Sequence, residues 1–216
     1  RNYYQVCMNV LDAMEVKKQK KLNVTVGLQM VFDPRDSDQI IPMAKIGREL
    51  GVDYTVIKHC SDDENGFLGV KHDEYPKHYE LLKEAESYST GTYQVHVKWS
   101  KIKAQGKRHY NKCYGTPFHL QMSGTGLVAP CGMLFAEKYK KHHISNITQK
   151  RFKEIVFSDA YWNIMNGLHS PGFNPQIDCG DSCLQHKTNE RLFDFTEGKD
   201  DLSMPDGPVP EHINFI

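Results

Sequence analysis

The 216 residues carry 27 Lys and Arg against 27 Asp and Glu, so the charge balance gives no support to a nucleic-acid or anionic-membrane partner. No apolar run approaches the roughly 20 residues that a membrane-spanning helix requires, and no signal-peptide pattern is present, so we expect a cytoplasmic protein. The length suits one large domain or two small ones. The chain begins with Arg1 rather than Met, and we interpret this start as a cut inside a longer protein.

The first part of the chain alternates between helical and strand patterns. Apolar residues at helical spacing predict a helix over 3–20, and the β-rich run 23–32 predicts a buried strand. A second helix, with Asp36 as its expected cap, ends at Gly51, and a second strand spans 52–58. Helix and strand in this order predict a right-handed parallel β/α unit.

The middle of the chain contains a predicted domain boundary. Residues 59–74 predict a loop, residues 76–87 a helix, and the alternating run 93–100 a half-buried strand. Residues 101–112 are basic and contain glycine, which predicts a linker. We therefore expect a first domain over 1–104 and a second over 105–216, the latter ending, from Arg191, in an extended tail without regular structure.

The cysteines are the most informative residues of the sequence. Cys113 and Cys131 flank two short apolar runs joined by Ser123–Gly126, which predicts a β-hairpin that brings these cysteines together. Cys179 and Cys183 form a second local pair in a polar loop. Four thiolates delivered as two pairs suit either an iron–sulfur cluster or a structural zinc ion, and the spacing does not separate the two. Because the length and the helical content make disulfide staples unnecessary, we expect reduced thiols.

Further candidates lie outside this group. Cys7 has apolar neighbours in a helix and is expected to be a small core residue. Cys60 follows the second strand, where it could donate a hydrogen atom or proton to a substrate radical or be an inert loop thiol. Gln29, in the middle of the first strand, and Lys58, at the end of the second, are candidates for binding a cofactor or substrate; Arg35 has a similar position in the loop between them.

The second domain resembles the SPASM or twitch auxiliary-cluster domain of radical SAM enzymes. The spacing of Cys113, Gly126 and Cys131 is similar to the opening of that domain, and the predicted helix 147–156, followed by 158–161, resembles its central segment. The complete SPASM pattern has seven cysteines and two clusters, so the resemblance is to a shortened version with one 4Fe–4S cluster. The ligands that it implies are Cys113, Cys131, Cys179 and Cys183.

The first domain resembles the closing half of a radical SAM barrel, notably at residues 26–29 and 50–54. The expected fold class is therefore α/β, with the later half of a partial (β/α) TIM-like barrel followed by a small α+β SPASM/twitch-like domain. Barrel enzymes place their chemistry at the carboxyl ends of the strands, where Lys58 and Cys60 are expected.

The resemblance implies a portion of a radical S-adenosylmethionine enzyme. In that family a 5′-deoxyadenosyl radical abstracts hydrogen from a peptide or small-molecule substrate, and flavodoxin or ferredoxin supplies electrons. The family's catalytic CxxxCxxC motif is absent from this sequence. S-adenosylmethionine and a second 4Fe–4S cluster are therefore implied only for a longer parent protein. The alternative is a non-catalytic binding module that zinc or an iron–sulfur cluster stabilises.

Overall fold

The computed structural model describes residues 2–62, 67–180 and 183–203, which form a mixed α/β protein, as predicted. These residues divide into two compact units. Unit 1 comprises residues 2–60 and 70–105, and unit 2 comprises the other described residues, 61–62, 67–69, 106–180 and 183–203. No described helix is long and apolar enough to cross a membrane.

Unit 1 is a parallel sheet with helices. Its helices are α1 (Asn2–Gln19), α2 (Ile40–Leu50), α3 (Tyr79–Glu86) and α4 (Trp99–Ala104), and its strands are β1 (Gly27–Phe32), β2 (Tyr54–His59) and β3 (Gln94–Val97). The strands are ordered β1-β2-β3 and both pairings are parallel, which confirms the predicted parallel β/α arrangement. α2 ends at Gly51, whose φ of 73° is the left-handed conformation that glycine adopts at low cost.

The two faces of this sheet differ. Phe32, Ile57 and Val95 are buried in a core that also contains Ile40 of α2 and Leu82 of α3. Since side chains alternate along a strand, the opposite face carries the residues between these positions. Register aligns Gln29 with Val56 and His96, and Val31 with Lys58, on that second face.

Three predictions for unit 1 were wrong. β1 is not buried on both faces, because Gln29 and Val31 are exposed on the face away from the helices. Asp36 does not cap the second helix: Asp33 caps a short 3-10 helix (Pro34–Gln39) that precedes α2. The predicted strand 93–100 ends at Val97, and α4 replaces its last residues and the start of the expected linker.

The change from strand to helix after Val97 has a packing cause. The Trp99 indole N–H donates to Glu86 of α3, at 3.0 Å from Oε1. Ile102, one helical turn further on, is fully buried in the core of unit 1. These two tertiary contacts stabilise a helix in a segment whose local pattern alternates.

Unit 2 contains a small antiparallel sheet and short helices. Its strands are β4 (Gln121–Met122), β5 (Leu127–Ala129) and β6 (Ser145–Asn146), and its helices are α5 (Phe152–Val156), α6 (Asp159–His169) and α7 (His186–Thr196). β4 and β5 form the predicted hairpin, and β6 adds to the other edge of β5. Val128, Ile155 and Met165 form one apolar cluster, and Leu134, Leu168 and Phe173 form part of another.

Two predictions for unit 2 also need correction. The helix predicted over 147–156 is confined to Phe152–Val156, because the residues before it form a turn in which the Asn146 side chain accepts from the Thr148 N–H, at 2.9 Å. Residues after Arg191 are not irregular at first, since α7 continues to Thr196. The predicted tail beyond 203 lies outside the described residues.

Candidate metal centre

Four cysteines of unit 2 line one cavity. Apolar side chains such as Leu134, Leu168 and Phe173 form much of its wall. The cysteines are the four predicted ligands, Cys113, Cys131, Cys179 and Cys183. Cys7 and Cys60 belong to unit 1. All six cysteines are free thiols, as expected.

Local structure sets the positions of three of these cysteines. The backbone N–H of Cys113 donates to the Leu168 carbonyl at the end of α6, at 3.2 Å, which ties the first cysteine to a helix distant in sequence. Cys131 is the second residue after β5, so the hairpin sets its position. Cys183 comes just before α7, and its carbonyl accepts from the His186 N–H at the start of that helix, at 3.3 Å.

The cavity is an unfavourable environment for bare thiolates. The pKa of the Cys113 thiol is raised to about 11, mainly by burial and also by the neighbouring Cys183 and Cys131. Burial likewise raises the pKa of Cys179 to about 12, although the Arg108 guanidinium opposes the shift. The Cys131 pKa is also raised, mainly by burial. A bound cation removes this penalty, because it compensates the thiolate charges and favours their deprotonation.

Backbone N–H groups partly oppose burial at two of the sulfurs. Those of Met133 and Gly132 lower the pKa of Cys131, and that of Gly115 lowers the pKa of Cys113. Such donors stabilise a negatively charged sulfur and are among the features by which a protein adjusts an iron–sulfur cluster.

Asn189 and Arg108 hold the loops that carry the thiols. Asn189 is fully buried; its Oδ1 accepts from the N–H groups of Tyr114 and Gly115, at 2.7 and 2.8 Å, and its Nδ2 donates to Cys183 Sγ at 3.5 Å. The Arg108 guanidinium donates to the carbonyls of Pro175 and Gly180, on either side of Cys179. Neither residue was identified from the sequence, because one Asn or Arg has no distinguishing pattern.

Two further polar side chains line the cavity without a partner. Thr116 Oγ1 and both amide atoms of Gln185 are buried and form no hydrogen bond with any described residue. Thr116 is 1% exposed and Gln185 is 5% exposed. Buried polar groups are almost always hydrogen-bonded, so these atoms indicate a missing partner inside the cavity.

The four thiols are close enough to affect one another's ionisation. Besides burial, Cys131, Cys183 and Cys113 each raise the pKa of Cys179, although they come from separate segments of unit 2. Among the residues that the structure describes, no three His, Cys, Asp or Glu side chains are already arranged to hold a metal ion. The donor set fits both a 4Fe–4S cluster and a structural zinc ion, since each takes four thiolates.

The candidates in unit 1 lie at a different place. Gln29 and Lys58 are on the same face of the parallel sheet, and Lys58 is beside Lys98, which follows β3. Cys60 follows β2 directly, and its N–H donates to the Phe32 carbonyl at 2.7 Å. Arg35 donates through its guanidinium to Asp33, at 2.6 Å. Lys58, Cys60 and Arg35 lie at or just beyond the carboxyl ends of their strands, whereas Gln29 lies in the middle of β1.

Comparison with known proteins adds no assignment. No protein-family model matches the chain, and no curated protein matches it.

Proposed function

We propose that unit 2 binds one 4Fe–4S cluster and that the chain serves a radical SAM enzyme as a partial barrel followed by a SPASM/twitch-like auxiliary domain. The observation that carries the proposal is the cavity in which four cysteines from distant parts of unit 2 meet. Its proposed ligands are Cys113, Cys131, Cys179 and Cys183.

The chemistry of the site supports a cluster. Four cysteines are the usual ligand set of a 4Fe–4S cluster. The apolar wall and the backbone N–H donors at Cys131 and Cys113 supply the dry, donor-rich surroundings that set the properties of such a cluster.

Each residue around the proposed cluster has a separate task. Arg108 holds the loop of Cys179 and brings a positive charge to a site of four thiolates. Asn189 joins the segment after Cys113 to Cys183. When bound, the cluster supplies a one-electron redox centre or a contact for substrate.

Unit 1 supports the barrel part of the proposal. Parallel sheets are normally covered on both faces, yet helices of unit 1 cover one face of this one. In the part of the chain that the structure describes, no strand pairs with the free edges of β1 and β3. A sheet with two free edges and helices on one face is what an arc of a β/α barrel presents. On this proposal, Gln29 and Lys58 face the barrel interior, where they contact S-adenosylmethionine or substrate.

The remaining roles follow from the family resemblance. The substrate is a peptide or small molecule that loses a hydrogen atom, and a flavodoxin or ferredoxin provides electrons. Cys60 is the candidate for returning a hydrogen atom or proton to the substrate. The catalytic cluster itself has no ligand motif in this sequence, so no residue of the chain is assigned to it.

A second candidate function is a non-catalytic module that zinc holds together. Its support is the chemistry of the donor set, since four thiolates bind zinc as well as iron. Metal analysis distinguishes the two functions.

The decisive experiment is anaerobic expression followed by measurement of iron, sulfide and zinc in the purified chain. We expect about four iron and four sulfide per chain, with the broad visible absorption of thiolate-bound iron. Replacing any of the four cavity cysteines by Ser should lower the iron content strongly. The matched controls, Cys7→Ser and Cys60→Ser, should retain it. Stoichiometric zinc without iron would support the zinc module instead of the cluster. Equal iron content in all six variants would contradict both proposed functions.

A further inference from the structure

Thr116 and Gln185 lie in the cavity of the four cysteines with no described partner. Both are more than nine-tenths buried, and the hydroxyl of Thr116 and the amide of Gln185 form no hydrogen bond with the described residues around them. Leaving a buried polar group unpaired is unfavourable, because the group has lost its hydrogen bonds to water. Two such residues at one cavity indicate that an occupant supplies what they lack.

The orientation of Gln185 shows which of its ends faces that occupant. Its Oε1 lies against Gly115, so closely that a Cβ added to Gly115 would be 2.2 Å from it. The Nε2 donor is therefore the end left for a group in the cavity. Thr116 Oγ1 can also donate, through a hydroxyl that rotates freely. The pair thus presents two neutral donors to the cavity.

We infer that Thr116 and Gln185 donate hydrogen bonds to sulfur atoms of the bound cluster and thereby set its reduction potential. This inference rests on the proposed function. The sulfur atoms of a cluster accept hydrogen bonds. Thr116 and Gln185 line the same cavity as the four thiols, so a cluster bound there would bring its sulfur atoms to these two side chains. Thr116 and Gln185 are positioning residues, because they act through the cluster.

The direction of the effect follows from charge. One electron added to the cluster makes its sulfur atoms more negative, so each donor stabilises the reduced form more than the oxidised form. No proton needs to move in this step. Removing a donor should therefore shift the midpoint potential to a more negative value, and removing both should shift it further.

The test uses the full chain with its cluster reconstituted. Thr116→Val and Gln185→Met remove the donors with little change of size, Thr116→Ser retains the hydroxyl, and Thr196→Val is the matched control, because the Thr196 hydroxyl is exposed and bonds to Phe193 instead. The potential is measured by a dithionite titration followed by electron paramagnetic resonance. We expect the midpoint potential to become more negative in Thr116→Val and in Gln185→Met, and the two shifts to add in the double variant. We expect no shift of the potential in Thr116→Ser or Thr196→Val.

A second measurement uses the metal-free chain. Since the donors have no partner there, replacing them by apolar side chains should leave the unfolding midpoint unchanged or raise it. A purely structural role predicts a lower unfolding midpoint instead, and that result would overturn the inference. Unchanged reduction potentials in Thr116→Val and Gln185→Met would also overturn it, because the donors would then bond to buried water rather than to the cluster. Loss of iron from Thr116→Val but not from Thr116→Ser supports the inference, because Ser retains the hydroxyl that Val lacks.

The outcomes also separate this inference from the proposed function. If the unmodified chain holds no iron, both fail together. If it holds four iron atoms and the variants have the same midpoint potential as the unmodified chain, the proposed function is supported and the inferred role of Thr116 and Gln185 is wrong.

Discussion

Asn189 illustrates how one buried side chain can join two segments that are far apart in sequence. Its amide satisfies two backbone N–H groups beyond Cys113 and donates to Cys183. Because the residue is fully buried, water cannot replace these bonds when the amide is removed.

Replacing Asn189 by Ala should therefore destabilise unit 2 by about 2–4 kcal/mol, since two backbone donors lose their acceptor. Urea unfolding of the metal-free chain measures the change. Asn9→Ala is the control. Asn9 is exposed on α1, where its side chain accepts a hydrogen bond from Gln5, so we expect the free energy of unfolding to change by less than about 0.5 kcal/mol. Equal effects of the two replacements would show that the Asn189 amide does not hold the segments together.

Lys98 carries a charge that the fold disfavours. Its pKa is lowered from 10.5 to about 8, mainly by burial and also by the nearby Lys58 and Lys101. The folded state therefore binds fewer protons than the unfolded state between about pH 8 and pH 10.5. The penalty is fully present below about pH 8 and disappears as the pH rises towards 10.5.

Replacing Lys98 by Met should stabilise unit 1 at pH 7 by about 1 kcal/mol, after the shift is discounted for partial exposure to solvent. The gain should shrink at pH 10, where Lys98 of the folded protein is already neutral. Urea unfolding of both proteins at the two pH values gives the comparison. A difference that stays the same at both pH values would contradict the assigned pKa. An anionic substrate group on this face of the sheet would remove the same penalty.

At the scale of the element, the β4–β5 hairpin depends on one glycine. Gly126 has a φ of 82°, and its N–H donates to the Ser123 carbonyl at 2.9 Å. A Cβ at this position would also lie 2.8 Å from Asn146 Oδ1. The turn sets the position of Cys131, which is the second residue after β5.

Gly126→Ala should cost about 1–2 kcal/mol, because an L-residue pays for the left-handed conformation and Asn146 must move. Gly124→Ala, in the same turn, is the control: it has open space around its Cα and no positive φ, so we expect a much smaller change. Thermal unfolding of the two variants tests this difference. Indistinguishable melting temperatures would mean that the turn tolerates a side chain at either glycine.

α4 and α7 show why some elements were not predicted. The run from Tyr93 alternates like a strand, yet Trp99 donates to Glu86 and Ile102 enters the core, so tertiary contacts override the local pattern. α7 begins within a polar segment and is fixed by buried residues such as Asn189. Local periodicity carries no information about either contact.

At the scale of the whole molecule, the two units give separate reporters of stability. The chain has two tryptophans, Trp99 in unit 1 and Trp162 in unit 2. Metal bound only by folded unit 2 adds its binding free energy to the stability of that unit alone. Unit 1 contains none of the proposed ligands.

Cys131→Ala should consequently lower the melting temperature reported near Trp162 much more than Cys7→Ala lowers the one reported near Trp99. The first variant loses a cluster ligand, whereas the second loses a small, half-buried contact worth about 1 kcal/mol. Fluorescence melts of Trp99→Phe and Trp162→Phe backgrounds, with iron analysis, separate the units. Full iron in Cys131→Ala would remove this cysteine from the ligand set.

Local chemistry determined much of this protein from sequence alone. The alternation of helix and strand through residues 2–97, the end of α2 at Gly51 and the hairpin around Ser123–Gly126 each depend on a short pattern or on one turn residue. The four cysteines that share the cavity were also selected from sequence, because thiolates in two local pairs have few other uses.

The tertiary structure alone decided what surrounds those thiols. Arg108, Thr116, Gln185 and Asn189 are common residue types whose importance arises from where their side chains meet, and the chain between the first and the last of them includes β4, β5, β6, α5 and α6. The exposure of Gln29 was decided in the same way, because it depends on which face of the sheet the helices cover. Burial and side-chain convergence are properties of packing between distant segments, and no local pattern encodes them.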